Sequence, residues 1–298
     1  MSLSTVKFNQ IEEELNDAIE WLTSLGVVPN RGRFGLYNKT LQKLFRSHKE
    51  DRNQGYSDFP KMANAIYEVF DLIEIHKGLS DISQDEISKL ANFYQKGVEE
   101  YTKENPDKSG NMPRNTAFEL LISSKLHVSN IDIDLTSISD TSGQFENNHL
   151  LVECKRLQSE NNIQRNIKDA KSQLKKKIFN PVKSRTCGVI ALDFTKLLNP
   201  DFGLLVKNNE EEAQEWLNSA TDHFIKEYQK YWTKSLGRNI LGVLTYFSLL
   251  AVIEDKRLLT HCKQYAFCHA SDLTPRWKDV SWRFSQKLGA TSKEVLVD

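Results

Sequence analysis

The segment Leu150-Leu151-Val152-Glu153-Cys154-Lys155-Arg156 sets a carboxylate and an ammonium two residues apart within an apolar run. If it is a strand, alternate side chains point to opposite faces. Leu151, Glu153 and Lys155 then share one face, and Val152 and Cys154 take the other. Upstream, Asp132, Asp134 and Asp140 are separated by even numbers of residues, and on a regular strand they too share a face. A hairpin would lay that strand beside Glu153 and bring at least two carboxylates and one lysine together. This donor set suits Mg²⁺, a hard cation that prefers oxygen ligands. Such a site could polarise a phosphoryl oxygen, and the lysine could orient the attacking water and stabilise developing charge. A Glu-x-Lys triplet is common, and on the triplet alone a surface strand with a solvated charge pair is the favoured account. The elements around the triplet must therefore decide.

Those elements follow from periodicity. In the first hundred residues Phe8, Ile11, Leu15, Ile19 and Leu22 recur at helical spacing,, and Gly26 with Pro29 closes that run. Further helices are expected over residues 38–47 and 60–76, the latter with Met62, Ile66, Val69, Phe70 and Ile73 on one face. Another should start near Ser83, where Ser83-Gln84-Asp85-Glu86 has the form of a capping box. The polar, turn-rich stretch 103–111 marks a boundary, giving a helical N-terminal domain over 1–108 and a second domain over 109–298. In the second, a helix is expected over 114–126 behind Pro113. An alternating strand over 131–135, a polar hairpin turn over 142–148 and the triplet strand follow. Next comes an amphipathic helix with Ile163, Ile167, Ala170, Leu174 and Ile178 on its apolar face, then a short apolar strand over 187–193. A helix over 210–235 opens on three glutamates, which suit a helix N-terminus. Long strands over 240–253 and 258–269 and a last helix over 277–288 complete an α/β layout.

This order of parts resembles the PD-(D/E)xK nuclease superfamily, the restriction-endonuclease-like fold, over about residues 110–200 and less securely to 270. The resemblance implies an α/β (α+β) fold, a mixed sheet flanked by helices, here preceded by an all-α N-terminal domain. Asn115-Thr116-Ala117-Phe118-Glu119-Leu120-Leu121 is similar to the first core helix, and Glu119 would support the metal site. Glu153-Cys154-Lys155 matches the (Asp/Glu)-x-Lys triplet. It implies Glu153 as metal ligand, the Cys154 backbone carbonyl as a further ligand and Lys155 as catalytic lysine. Asp140, 13 residues ahead of Glu153, would be the partner aspartate; Asp134, 19 ahead, is the alternative. Ser139 stands where the motif's proline would precede Asp140. Gln173 is similar to a glutamine that some members place near the active site, and Arg156 to a Cys-Lys-Arg ending that would contact a phosphate.

Charge adds to this picture. Between Cys154 and Cys187 there are ten Lys and Arg residues against two acidic ones, so Arg165 and Lys168 on the amphipathic helix, with Arg156 and Gln173, are candidate nucleic-acid contacts. The implied function is a Mg²⁺-dependent (or Mn²⁺-dependent) nuclease, acting on DNA before RNA on family frequency alone. The alternative is a nucleic-acid- or protein-binding module on the same fold with little catalysis. An oligomeric or protein contact through the helical domain is a further expectation.

The chain as a whole is unexceptional. Its 298 residues carry 40 basic and 40 acidic side chains, so net charge gives no reason to expect a polyanion,. The four cysteines are sparse and lie in apolar runs, which predicts thiols in a reducing, cytoplasmic setting. No signal peptide is expected at the N-terminus, and no membrane partner, since the apolar run 240–253 is too short to span a bilayer. His261-Cys262 and Cys268-His269 would lie on one extended strand, a poor cage for zinc. Trp277 and Trp282 are expected as core or partner contacts.

Overall fold

In the computed structural model the amphipathic segments become, among the described residues, nine α-helices, and the apolar and alternating segments an eight-stranded sheet. The structure describes residues 8–29, 32–50, 59–96, 112–136, 139–178, 185–201, 203–233, 236–256 and 258–293. The boundary stretch 103–111, with Lys183 of the basic run, lies outside them. No helix among the described residues is long and apolar enough to cross a membrane. The chain divides into two compact units, one of Met1–Ala117, Asn199–Ala213 and Leu249–Cys262, the other of Phe118–Leu198, Gln214–Ser248 and Lys263–Asp298.

The first unit contains α1 (Phe8–Ser24), α2 (Arg33–Glu50), α3 (Phe59–Leu79) and α4 (Gln84–Tyr94). The buried stripe of α1 is Ile11, Leu15, Ala18 and Leu22. Ala18 takes the place that periodicity gives to Ile19, which is only partly buried. Helix α3 is buried nearly all round, through Ala63, Ala65, Ile66, Tyr67, Val69, Phe70, Leu72, Ile73 and Ile75, and not along one face as its pattern suggested. Glu68 is carried into the interior with them. The unit is not built from helices alone. The short strand β5 (Leu205–Lys207) pairs with residues 251–253 of β6 (Ile240–Ile253), and the Tyr67 hydroxyl accepts the Leu250 N–H at 2.8 Å. At α4 the serine does not cap the helix. The Ser83 hydroxyl instead donates to the Glu86 carboxylate at 2.9 Å.

The second unit holds the triplet strand. Helix α5 (Met112–Val128) leads into β1 (Asp132–Asp134), β2 (Thr141–Phe145) and β3 (Asn148–Arg156). Then follow α6 (Ile163–Ile178), β4 (Thr186–Asp193), the one-turn α7 (Thr195–Leu198) and α8 (Glu210–Tyr228). Beyond β6 come β7 (Leu258–His269), α9 (Pro275–Lys287) and β8 (Thr291–Lys293). The sheet order is β1-β2-β3-β4-β6-β7-β8. β1, β2 and β3 form an antiparallel meander, and β4 joins β3 in parallel after the α6 crossover. β4 and β6 are central, mostly apolar and buried along nearly their whole length, as strands covered on both faces are,. The α6 stripe of Ile163, Ile167, Ala170 and Leu174 is buried as its spacing predicted, with Leu174 and Ile178 over Gly188 of β4.

The hairpin turn differs from expectation. Residues 142–145 are strand, and the turn is the pair Glu146-Asn147, with φ of 47° and 61°. Two residues at positive φ form the tight connection that matches strand twist, and Asn148 Nδ2 donates to the Phe145 and Glu146 carbonyls across it. The short polar residues before it are buried and satisfied. Thr141 Oγ1 pairs with Ser123 Oγ at 2.8 Å, and Ser142 Oγ donates to the Asp134 carbonyl at 3.3 Å. Gly143 lies so close to β1 that an added Cβ would stand 2.2 Å from the Asp132 carbonyl oxygen. Gly143→Ala is therefore expected to push β1 off the sheet at a cost of about 1–3 kcal/mol. Urea unfolding would measure this, and a variant as stable as the parent would show that β1 can shift freely.

Candidate functional site

β3 presents Glu153 and Lys155 on one face, and the β2–β3 register brings Asp140 to them. Thr141 pairs with Val152, and one step further along the same ladder Asp140 meets Glu153. The Cys154 N–H donates to Asp140 Oδ2 at 2.8 Å, which pins the aspartate at the strand edge. Lys155 Nζ lies 3.9 Å from Asp140 Oδ2 and 3.8 Å from Glu153 Oε2. The sum of those two distances bounds the separation of the two carboxylate oxygens. The Glu153 side chain is 0% exposed, against 25% for Asp140 and 20% for Lys155. Asp134 is turned to other work: its Oδ1 accepts the Thr136 N–H and hydroxyl in a local turn at 2.9 and 2.7 Å. The structure thus places Asp140 beside Glu153, while Asp132 and Asp134 stay exposed.

Glu119 reaches the same cluster from α5. Its carboxyl is pushed up from 4.5 to about 7, first by burial and then by the charge of Asp140, with Lys155 opposing. Glu153 is raised as well, by burial and then by Asp140, against the pull of Lys177 and Lys155. The Cys154 thiol is buried and pushed well above its ordinary range, so it stays neutral; its part in the site is through its backbone.

The other expected contacts divide. Arg165, Lys168 and Gln173 are exposed on α6, open to a ligand but joined to nothing in the cluster. The Arg156 side chain is only 5% exposed and is turned to Asp193, with Nε 3.4 Å from Oδ2. Asp193 also accepts the Thr195 N–H at 2.9 Å, so Arg156 ties β3 to the end of β4 and is not presented to a phosphate. The residue missed in the sequence is Lys177. Its ammonium pairs with Glu153 Oε1, and its side chain is 20% exposed. Periodicity marked Ile178 as the last apolar position of α6 and left Lys177 among the solvated lysines. Its distance of three residues from buried Leu174 was the available signal.

Glu153 Oε2 is buried and lacks a hydrogen-bond partner, an arrangement that costs free energy unless a cation or ligand completes it. Among the described residues no group of three or more His, Cys, Asp or Glu forms a ready cage. Two carboxylates fit Mg²⁺ nonetheless, since that ion keeps several waters and takes one or two carboxylates from the protein. No family model matches the chain, and no curated protein or solved structure does either.

The raised Glu119 carboxyl has a measurable consequence. Between pH 4.5 and about 7 the folded chain holds a proton that the unfolded chain releases. Stability is therefore greatest below that window and falls as pH rises through it. Glu119→Gln is expected to remove this slope, gaining about 1–3 kcal/mol over the parent at pH 8 and nothing at pH 4. Urea unfolding at both pH values checks it, and parallel curves for the two proteins would refute it.

Proposed function

We propose that this protein is a metal-dependent nuclease that hydrolyses phosphodiester bonds in nucleic acid, DNA before RNA, on a restriction-endonuclease-like fold. The observation that carries the reading is the convergence of Asp140 and buried Glu153 on the Lys155 ammonium, with Glu153 Oε2 left without a hydrogen-bond partner. The antiparallel β1-β2-β3 meander followed by a helical crossover to parallel β4 supports the fold assignment. Asp140, Glu153 and the Cys154 carbonyl would hold Mg²⁺ or Mn²⁺, whose charge polarises a phosphoryl oxygen when bound. Lys155 orients the attacking water and offsets charge on the phosphate. Glu119, held near neutrality, can keep or release a proton beside Asp140,. The exposed Arg165, Lys168 and Gln173 on α6 would face the backbone of the substrate. The helices of the first unit would serve recognition, oligomerisation or regulation.

A binding module is the second reading. It is favoured by the ion pairs of both carboxylates with lysines and by the lack of a three-ligand cage among the described residues. Incubation with plasmid, linear and single-stranded substrates, in Mg²⁺, Mn²⁺ or chelator, separates the two. Metal-dependent cleavage lost in Lys155→Ala supports the nuclease. Binding without cleavage of any substrate supports the module.

A further inference from the structure

Six Lys and Arg residues lie on α6, and the last of its three consecutive lysines differs from the two before it. Lys175 and Lys176 are exposed, whereas Lys177 is half-buried and reaches Glu153. Packing of Ile163, Ile167, Ala170 and Leu174 fixes the helix against the sheet, so the root of Lys177 is held beside β3 by the core. Two ammoniums, of Lys155 and Lys177, then balance two carboxylates, of Asp140 and Glu153. A divalent cation entering this cluster meets two positive charges already in place, at separations where their repulsion is strong.

One of the two lysines must give way, and their anchoring differs. Lys155 sits on the same strand face as Glu153 and lies within 3.9 Å of an oxygen of each carboxylate, so two charges draw it to the cluster. Lys177 holds a single oxygen, Oε1, from the last turn of a helix, through a flexible side chain with a route to solvent,. We infer that Lys177 is an exchangeable counter-ion: it occupies Glu153 in the resting protein and is displaced when a divalent cation takes that carboxylate. It thereby sets the cation concentration at which the site fills. This rests on the reading of Asp140 and Glu153 as a cation site.

The test is Mn²⁺ binding by calorimetry to the full chain after chelator treatment, comparing the parent with Lys177→Met, Lys177→Gln, Lys177→Arg and Glu153→Gln. Removing the competing charge is expected to tighten Mn²⁺ binding roughly tenfold in Lys177→Met and Lys177→Gln, the change that a pair worth about 1.4 kcal/mol produces. Lys177→Arg keeps the charge and should stay close to the parent. Glu153→Gln should lose binding. Circular dichroism confirms folding, and the polar glutamine variant carries the test if the methionine variant unfolds. Unchanged or weaker Mn²⁺ affinity in the folded neutral variants, with binding still lost in Glu153→Gln, overturns the role of Lys177 and leaves the cation site standing. No Mn²⁺ binding by the parent or by either neutral variant overturns both.

Discussion

Replacing Glu153 by glutamine is expected to lower phosphodiester cleavage by about 10³-fold or more while leaving the fold as stable as before, or more so. The two halves of this result have one cause. Glu153 is fully buried, and its carboxyl is raised by burial and by Asp140, so its ionised form is one the fold tolerates at a cost. Glutamine removes that cost and keeps the shape. It frees Lys155 and Lys177, both of which have solvent access, so no charge is left stranded in the interior. A buried carboxylate whose removal stabilises the chain is held there for something other than folding. Lys155→Ala should cost about 10²–10³-fold in cleavage while Mn²⁺ affinity holds or rises, since Lys155 positions and neutralises but ligates nothing. Single-turnover cleavage in Mn²⁺, beside urea unfolding of each variant, reads both effects. Full activity in Glu153→Gln would end the nuclease reading. A destabilisation of several kcal/mol with it would recast Glu153 as the anchor of Lys177.

Much of this site was legible because it is local. Strand alternation put Glu153 and Lys155 on one face, and β3, α6, β6 and β7 lie where apolar periodicity placed them. What escaped depends on partners distant in sequence or on backbone geometry that residue type signals weakly. The tract Ser142-Gly143-Gln144 has the composition of a turn. It is strand because Ser142 finds its acceptor on β1 and because Gly143 allows β1 to come close. Turn composition falls instead on Glu146-Asn147, only one of which is a usual positive-φ residue. Even spacing puts Asp134 and Asp140 on one face, and only the gap to Glu153 ranks Asp140 first; in the structure the Cys154 N–H and the Thr136 turn separate them. Arg156 read as a free strand-end cation until Asp193, 37 residues on, became its partner. A charged residue keeps its sequence reading only while nothing distant in sequence binds it.

The second large effect is expected far from this chemistry, at Glu68. Helix α3 is apolar nearly all round, and Glu68 is buried within it. Its carboxylate receives two arginines: Arg33 at 3.2 Å from α2, and Arg114 Nε at 2.6 Å from the start of α5. Arg33 also donates to the Tyr94 carbonyl at 2.9 Å and stacks over the Phe34 and Tyr94 rings, and Arg114 donates to the Tyr37 hydroxyl. One carboxylate therefore ties α2, α3, α4 and α5 together. Burial of charge is costly unless it is paired, and removal of one partner strands the others, so Glu68→Gln is expected to destabilise the chain by about 3–5 kcal/mol. The cost belongs to the orphaned arginines rather than to the lost pair. Changing Arg33, Glu68 and Arg114 together to methionine should therefore cost much less than Glu68→Gln alone, because apolar side chains of similar length leave no buried charge. Urea unfolding of both proteins decides it. A Glu68→Gln loss below about 1 kcal/mol would mean that water reaches the arginines, and a triple variant worse than the single one would mean that the ion cluster itself specifies how these helices pack.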